Sequence, residues 1–317
     1  MRYQMFQRAG VKVSAVAVGT WAIGGTHYGE VNDRDSISAI RAMIDCGVNT
    51  IDTAPIYGNG HSEEVVGKAL QGIRDKVLLC TKFGTYNSTY TGEVVYDCRY
   101  DSVFAFCESS MRRLQTDYFD FYYIHWPEPD GRTPIEETMA ALNELKKQGK
   151  IRFIGVSNFT REQIIEAERY GQIDVIQPPF SMVNQSQRTL MEWAAGQGID
   201  TMTYGSLGSG ILTGAIRTLP DFAQDDLRLT FYDFYREPKF SKVMELLKTL
   251  DEIAESHHCP VAQVAVNWST QQAFVGTALV GVRNPREAEE NCAAFTWQLT
   301  EDELRQIDGT LQRLQIG

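Results

Sequence analysis

The sequence has no apolar run near the roughly 18 residues that a membrane span needs, and its first residues lack the apolar core of a signal peptide. It has no excess of positive charge, because 30 Lys and Arg stand against 41 Asp and Glu, for a net charge of −11. An acidic surface repels nucleic-acid phosphates. Its six cysteines are scattered without a C-x-x-C pair, as is typical of reduced thiols. We therefore expect a cytoplasmic protein with neither a membrane nor a nucleic-acid partner.

Metal-ligand spacing is missing as well. The cluster His257-His258-Cys259 consists of adjacent residues before a proline, and no second ligand pair stands at a suitable distance in the sequence. We predict no metal site and interpret the cluster as a polar helix terminus.

Linkers and low-complexity stretches are also absent, so we expect a single domain over residues 1–317. What repeats is an alternation of short β-rich runs with stretches of helical spacing, which is typical of βα units. A hairpin is predicted at residues 3–6 and 11–13, and a helix with Asp101 as its cap at 101–114. The predicted strands after the hairpin cover residues 15–19, 48–52, 77–81, 119–124, 151–156, 175–177, 201–204 and 278–280.

Eight βα units in a chain of this length indicate an α/β fold of the (β/α)8 TIM-barrel type, with an N-terminal β-hairpin and two C-terminal helices. The alternative is an open doubly wound sheet. If that sheet bound a dinucleotide, G-x-G-x-x-G would follow its first strand. The residues from Gly19 to Gly25 do not match this pattern.

Four polar residues follow the second, third and fourth predicted strands. Asp52 ends the second strand with Tyr57 five residues later, Lys82 ends the third and His125 the fourth. Taken singly, each residue has an ordinary structural interpretation. The aspartate would form a turn and the tyrosine would be a half-buried aromatic. The lysine would be a solvated cation and the histidine a hydrogen-bonded interior group. Together they point into one barrel mouth, where chemistry occurs in this fold. A buried aspartate and lysine there must pair, since an isolated buried charge is prohibitively costly.

This set of residue types suits proton transfer to a carbonyl oxygen. A phenol with its usual pKa near 10 is a slow acid at neutral pH, but an adjacent ammonium lowers that pKa. Tyr57, Lys82 and Asp52 would therefore form a proton relay, and a neutral His125 could orient the carbonyl. Carbonyl reduction by hydride needs such a set.

The same residues carry a resemblance to the aldo-keto reductase family over essentially the whole chain. Four segments resemble family motifs in the right order and at barrel intervals. They are Asp52-Thr53-Ala54 with Tyr57-Gly58, Thr81-Lys82-Phe83-Gly84, Ile124-His125-Trp126 and Gly155-Val156-Ser157-Asn158-Phe159.

The resemblance implies an NAD(P)H-dependent oxidoreductase that reduces aldehydes, ketones or sugars, with Tyr57 as general acid. It also implies that Asp52, Lys82 and His125 assist this acid, and that the nicotinamide lies across the barrel mouth. Carried over, Ser157, Asn158 and Gln177 bind the carboxamide, and Tyr204 stacks on the ring. The other cofactor contacts implied are Gly19, Thr20 and Trp21, the pyrophosphate segment with Gly205, Leu207, Ser209 and Gly210, and the adenosine loop with Gly281, Arg283, Glu287 and Asn291.

Two features of the adenosine loop bear on the choice of nucleotide. Arg283 is suited to pairing with the 2′-phosphate of NADP(H), and on this basis NADP(H) is favoured over NAD(H). Against this, Glu287 stands where many family members carry a basic residue or glutamine, and it would repel that phosphate.

The substrate pocket is expected to be lined by Trp21, Phe83 and Trp126. An aromatic-rich insertion with Phe231 to Tyr235, and with Asp225, Asp226 and Arg228 nearby, follows the seventh strand. Long βα loops usually serve the site in barrels, so we expect this insertion to cover the cofactor or to line the pocket. The alternative is a packing role at the side of the barrel.

Two other functions compete with carbonyl reduction. The resemblance also covers accessory subunits of potassium channels, so a nucleotide-binding regulatory subunit with little turnover is an alternative. The third hypothesis is a Schiff-base aldolase with Lys82 as the nucleophile. The tyrosine and aspartate around the lysine argue against it.

Overall fold

The computed structural model describes residues 1–25, 31–222, 226 and 228–317. Eight of its strands form a closed parallel barrel, and two pairs, β1 with β2 and β6 with β7, form separate antiparallel hairpins. The strands are β1 (Tyr3–Phe6), β2 (Val11–Ser14), β3 (Val16–Gly19), β4 (Thr50–Asp52), β5 (Leu78–Phe83), β6 (Thr85–Asn87), β7 (Val94–Tyr96), β8 (Phe119–Ile124), β9 (Ile151–Ser157), β10 (Val175–Gln177), β11 (Asp200–Thr203) and β12 (Thr277–Gly281).

The helices surround the barrel and follow its strands, so the predicted (β/α)8 barrel with an N-terminal hairpin and C-terminal helices is confirmed. No helix of the described residues is both long enough and apolar enough to cross a membrane. The helices are α1 (Asp33–Asp45), α2 (His61–Ala69), α3 (Tyr100–Leu114), α4 (Ile135–Lys147), α5 (Arg161–Glu168), α6 (Arg188–Gly196), α7 (Arg228–Phe231), α8 (Lys239–Ser256), α9 (Val261–Thr270), α10 (Pro285–Ala293) and α11 (Glu301–Leu314).

Two apolar clusters result from the alternation of side chains along the strands. On β8, Phe121 and Tyr123 belong to the smaller cluster, inside the barrel, whereas Tyr122 belongs to the larger one between the barrel and the helices. Phe6 and Val13 of the N-terminal hairpin join the interior cluster. Apolar side chains thus fill the end of the barrel interior next to the hairpin. The polar groups lie at the opposite end, where the strands finish.

One predicted helix cap is wrong. Helix α3 begins at Tyr100 after Arg99, and Asp101 lies within its first turn instead of capping it. The backbone N–H of Tyr100 donates instead to the Glu137 carboxylate of α4, 2.8 Å away. A carboxylate from a distant part of the chain therefore replaces the local cap.

The loop that carries Tyr57 is held by a close backbone approach. Gly58 has φ +60°, and a Cβ atom at this position would lie 2.2 Å from the carbonyl oxygen of Gly24. Only a residue without a side chain fits there. The segment after β3, which contains Trp21, thus packs directly on the segment after β4.

A buried ion pair fastens the following helix to the neighbouring strand. Glu63 of α2 is fully buried, accepts a hydrogen bond from the Thr81 hydroxyl at 2.7 Å, and pairs with Arg113 of α3 at 2.6 Å. Thr81 precedes Lys82 on β5. The network therefore ties the helix after Tyr57 to the strand that bears Lys82.

Candidate active site

At the mouth of the barrel, the Lys82 ammonium stands between a carboxylate and a phenol. Lys82 Nζ donates to Asp52 Oδ1 at 2.5 Å, to the backbone oxygen of Thr53 at 2.9 Å and to the Tyr57 hydroxyl at 3.2 Å. All three ammonium hydrogens thus have acceptors. Since the phenol oxygen accepts from Lys82, its own hydrogen points away from the ammonium.

The charge on Lys82 is stabilised by these partners. The side chain is fully buried, and burial alone would lower its pKa, but the Asp52 carboxylate and Tyr57 raise the pKa of Lys82 above its usual value. Gln177 Nε2 donates to the second oxygen of Asp52 at 2.8 Å. A protonated lysine has no lone pair on its nitrogen and cannot act as a nucleophile. This argues against the aldolase hypothesis.

His125 follows β8 and lies beside Tyr57. Their ring centroids are 5.8 Å apart with an interplanar angle of 83°. Burial, with a contribution from Lys82, holds the pKa of His125 well below its usual range. Its Nδ1 atom is 3.1 Å from the Thr85 hydroxyl. The mouth thus holds a phenol and a neutral imidazole side by side.

The residues expected to hold a nicotinamide carboxamide are brought together at the ends of β9, β10 and β11. Asn158 Nδ2 donates to Ser157 Oγ and to the backbone oxygen of His125, both at 3.0 Å. The Tyr204 hydroxyl donates to Asn158 Oδ1 at 2.8 Å, and Ser157 Oγ donates to the Gln177 backbone oxygen at 2.8 Å. Amide and hydroxyl groups beside an aromatic ring are the chemistry that a flat carboxamide requires.

Two cavities adjoin Tyr204. One, of about 420 Å³, is lined by Trp126, Asn158 and Gln177 among others. The second, of about 200 Å³, is lined by Gly205 and by Phe231 among others. Both include Pro179 and Tyr204 in their walls. One cavity therefore borders the carboxamide residues and the other borders the glycine-rich segment, with Tyr204 between them.

The glycine-rich segment forms a left-handed turn of small residues. Gly208, Ser209 and Gly210 have φ values of 54°, 52° and 99°, and the backbone N–H groups of Gly208 and Gly210 donate to the carbonyls of Gly205 and Leu207 at 2.8 and 3.1 Å. The Ser206 hydroxyl is buried and has no hydrogen-bond partner within the described part of the chain. Unsatisfied buried hydroxyls are uncommon. The unpaired Ser206 hydroxyl, in a loop of small residues, fits a bound pyrophosphate.

The insertion after β11 reaches the mouth. Phe231 meets the Trp21 ring edge-on at 6.3 Å, and Trp21 stacks on Tyr57 at 6.0 Å. Tyr235, which is buried, donates its hydroxyl hydrogen to the Ser209 backbone oxygen at 3.0 Å. The insertion therefore contacts the glycine-rich segment and also Trp21, the ring that stacks on the phenol. Asp225, predicted to lie near this stretch, is outside the described residues.

The expected adenosine loop follows β12. Gly281 and Arg283 are exposed, and Asn291 of α10 donates to the Gly281 backbone oxygen at 3.2 Å. Glu287 accepts from the Arg283 backbone N–H at 2.8 Å and from its guanidinium at 2.9 Å. The arginine that would meet a 2′-phosphate is thus already paired.

Two predicted site residues face elsewhere. The prediction that Phe83 lines the substrate pocket is wrong, because its ring is fully buried and packs 4.8 Å from Tyr122 between barrel and helices. Lys82 points inward, so its neighbour on the strand must point outward. Thr20, predicted to contact the cofactor, is also fully buried, and its hydroxyl donates to the Asp52 backbone oxygen at 2.9 Å. Gly19 and Trp21, on either side of it, are partly exposed.

Sequence reasoning missed Thr85 and the hairpin that carries it. The only sequence signal for this hairpin is the β-favouring run Val94-Val95-Tyr96 shortly after Gly92. Strand β6 begins two residues after β5 ends, so the hairpin extends the third barrel strand over the mouth.

No cluster of three metal-ligating residues occurs in the ranges that the structure covers, and His257 pairs with Glu303 at 2.6 Å.

Comparisons with known proteins agree with this geometry. A sequence model of the Aldo/keto reductase family matches residues 15–312. The chain is 37% identical to aldo-keto reductase YhdN of Bacillus subtilis (strain 168), covering 98% of this chain and 94% of that protein. It is 33% identical to the NADH-specific methylglyoxal reductase of Escherichia coli (strain K12), covering 96% and 94%. The glycerol dehydrogenase AKR11B4 from Gluconobacter oxydans superposes with a TM-score of 0.87 at 35% identity, covering 98% and 94%.

Proposed function

Since the chain belongs to the aldo/keto reductase family and is an NAD(P)-dependent oxidoreductase that acts on carbonyls, we propose that it reduces small aldehydes and ketones with Tyr57 as the proton donor. The observation that carries the assignment of Tyr57 is the hydrogen bond of 3.2 Å from a fully buried Lys82 ammonium to its phenol oxygen. A nearby ammonium favours the phenolate that forms when the proton leaves. The alternative of a regulatory subunit with little turnover has no support among the relatives.

A nicotinamide, when bound, supplies the hydride. Ser157, Asn158 and Gln177 would hold its carboxamide, and Tyr204 would lie against the ring. Gln177 also donates to Asp52, so the residue proposed to hold the carboxamide also steadies the carboxylate behind Lys82. The same side chain would therefore link a bound carboxamide, through Asp52 and Lys82, to the proton donor.

At the proton donor, two groups converge on the position of a substrate oxygen. The Tyr57 hydroxyl releases its proton as negative charge develops on that oxygen, and Lys82 stabilises the phenolate left behind. A neutral His125 donates a second hydrogen bond to the same oxygen and orients it. The ring of Trp21 lies against Tyr57, and Phe231 packs edge-on against Trp21.

The aromatic rings beside the phenol favour a compact substrate. Trp21 lies on Tyr57 and Phe231 closes on Trp21, so the room beside the phenol is bounded by rings. Two of the relatives are named for three-carbon compounds, methylglyoxal and glycerol. We therefore propose α-oxoaldehydes and hydroxycarbonyls of about this size as the substrate class.

The substrate proposal is tested by titrating NADH and NADPH through fluorescence quenching and then measuring turnover with a carbonyl panel. The panel contains methylglyoxal, glyceraldehyde, dihydroxyacetone, an aromatic aldehyde and an aldohexose. We expect the highest kcat/KM for a three-carbon compound. Tight nucleotide binding without turnover of any carbonyl would instead support the regulatory subunit.

The choice of nucleotide depends on the pair formed by Arg283 and Glu287. Arg283 alone would favour NADP(H), but Glu287 neutralises its guanidinium at 2.9 Å and would stand close to a 2′-phosphate. A ribose 2′-hydroxyl could instead donate to the Glu287 carboxylate. We propose that the protein accepts NAD(H) and that Glu287 limits its affinity for NADP(H).

Glu287→Gln is therefore expected to lower the Kd for NADPH relative to NADH by about five- to tenfold, since unit charges 4 Å apart in water interact by about 1 kcal/mol. The measurement is the ratio of the two dissociation constants at low salt, where surface charges are least screened. Glu290→Gln is the matched control, because Glu290 lies on the same helix and pairs with Arg286. A ratio that is unchanged in Glu287→Gln would refute the role of Glu287.

A further inference from the structure

We propose that Thr85 fixes the tautomer of His125, placing the imidazole proton on Nε2, and so acts as a positioning residue for carbonyl binding. The consequence for catalysis rests on the proposed function, in which His125 donates to the substrate oxygen. The tautomer itself is a property of the protein without substrate.

The contact is built from two rigid elements. Thr85 is the first residue of β6, is 1% exposed, and places Oγ1 3.1 Å from His125 Nδ1. The backbone of His125 is held on both sides, because its N–H donates to the Phe83 oxygen at 3.0 Å and its carbonyl accepts from Asn158 at 3.0 Å. The ring therefore presents Nδ1 to the hydroxyl and Nε2 to the other side.

Hydrogen-bond accounting gives the direction of this bond. The Thr85 hydroxyl has one hydrogen, and within the described residues the only hydrogen-bond partner of Oγ1 is Nδ1. A neutral imidazole has one N–H and one acceptor nitrogen. If Nδ1 carried the proton, the buried hydroxyl hydrogen would have no acceptor, which is unfavourable. With the hydroxyl as donor, both groups are satisfied, and Nε2 carries the proton.

The tautomer decides what His125 offers to a substrate. With its proton on Nε2, the ring donates a hydrogen bond to a carbonyl oxygen. With its proton on Nδ1, the ring would turn a lone pair toward that oxygen and repel it. A charged imidazole would carry a proton on both nitrogens and would donate from either one. Burial keeps the pKa of His125 low, so the ring is neutral and its tautomer decides which nitrogen donates. Thr85 therefore supports the donor role of His125 without touching the substrate.

The direct test is nitrogen NMR of the full-length protein with 15N-labelled histidine. The spectra distinguish a protonated from a bare ring nitrogen, and His125→Asn assigns the resonances. We expect a protonated Nε2 and a bare, hydrogen-bonded Nδ1 in the wild type. Thr85→Val removes the hydroxyl at equal shape, so the tautomer protonated on Nδ1 should become populated and the Nδ1 and Nε2 resonances should move toward each other, whereas Thr85→Ser should keep the wild-type pattern.

Turnover provides the second readout. Thr85→Val is expected to lower kcat with the best carbonyl about tenfold, with the Kd of the nucleotide unchanged; this is less than the roughly 10²-fold or greater loss when an oriented donor is removed outright, because His125 itself remains. Thr85→Ser should recover most of kcat. A proton on Nδ1 in the wild type, or unchanged resonance and kcat in Thr85→Val, would overturn the proposal. Because the tautomer is read without turnover, a wild-type protein inactive on every carbonyl would count against the proposed function alone.

Discussion

Tyr57→Phe is expected to lower kcat for carbonyl reduction by about 10²- to 10⁴-fold, the range that a positioned general acid contributes. The substitution removes one oxygen, the atom that accepts from Lys82 at 3.2 Å. The ring itself remains, so its stacking on Trp21 at 6.0 Å is preserved. We therefore expect the Kd of the nucleotide to stay the same, because the phenol serves the transition state and not the ground-state complex.

The measurement is single-turnover reduction at saturating nucleotide, together with fluorescence titration of the nucleotide. Tyr86→Phe is the matched control, since Tyr86 lies near the mouth on β6 but is exposed and outside the relay. Undiminished turnover in Tyr57→Phe would remove the phenol from the role of proton donor.

Lys82→Met is expected to abolish most activity and to destabilise the fold. Lys82 and Asp52 are both buried and paired at 2.5 Å. Breaking a buried pair by removing one partner typically costs about 3–5 kcal/mol, because a buried charge is left uncompensated. The phenol would also lose the cation that favours its ionised form.

The pH–rate profile of Lys82→Met gives the sign of the effect. In the reductive direction the rate falls as pH rises and the phenol loses its proton. Because the ammonium favours the phenolate, its removal should move this fall to higher pH, on whatever activity remains. A profile identical to that of the wild type would contradict the relay.

The double variant Asp52→Asn with Lys82→Met separates stability from catalysis. It removes both charges, so we expect it to recover much of the free energy of unfolding lost in Lys82→Met, as measured by urea titration. Turnover should stay as low as in the single variant. Recovery of turnover in the double variant would mean that Lys82 acts only through the fold.

The polar residues at the strand ends illustrate how far sequence reasoning extends. Alternating βα units predict a barrel, and the end of each predicted strand marks where its side chains meet the mouth. Asp52, Lys82 and His125 stand at such ends, and Tyr57 stands a few residues later, so their meeting followed from topology. Two further partners did not follow, since Thr53 contributes a backbone oxygen and Gln177 comes from a strand on the far side of the barrel.

The errors have physical causes in the geometry of strands and loops. Phe83 was expected at the pocket because it adjoins Lys82 in the sequence, but adjacent strand residues face opposite sides. The hairpin with Thr85 was missed because its two strands have only three residues each. Such short runs provide little periodicity to detect.

The amino-acid order by itself determined the fold class, the sequence of barrel strands and the positions of the chemical groups at their ends. These depend on local periodicity and on chain connectivity, both of which can be read along one dimension. Only the tertiary structure decided the other pairings, as with Arg283 and Glu287, Lys82 and the Thr53 backbone oxygen, and Thr85 and His125. Pairing depends on distances of a few ångströms between separate elements, and these are set by packing and by the direction of each side chain.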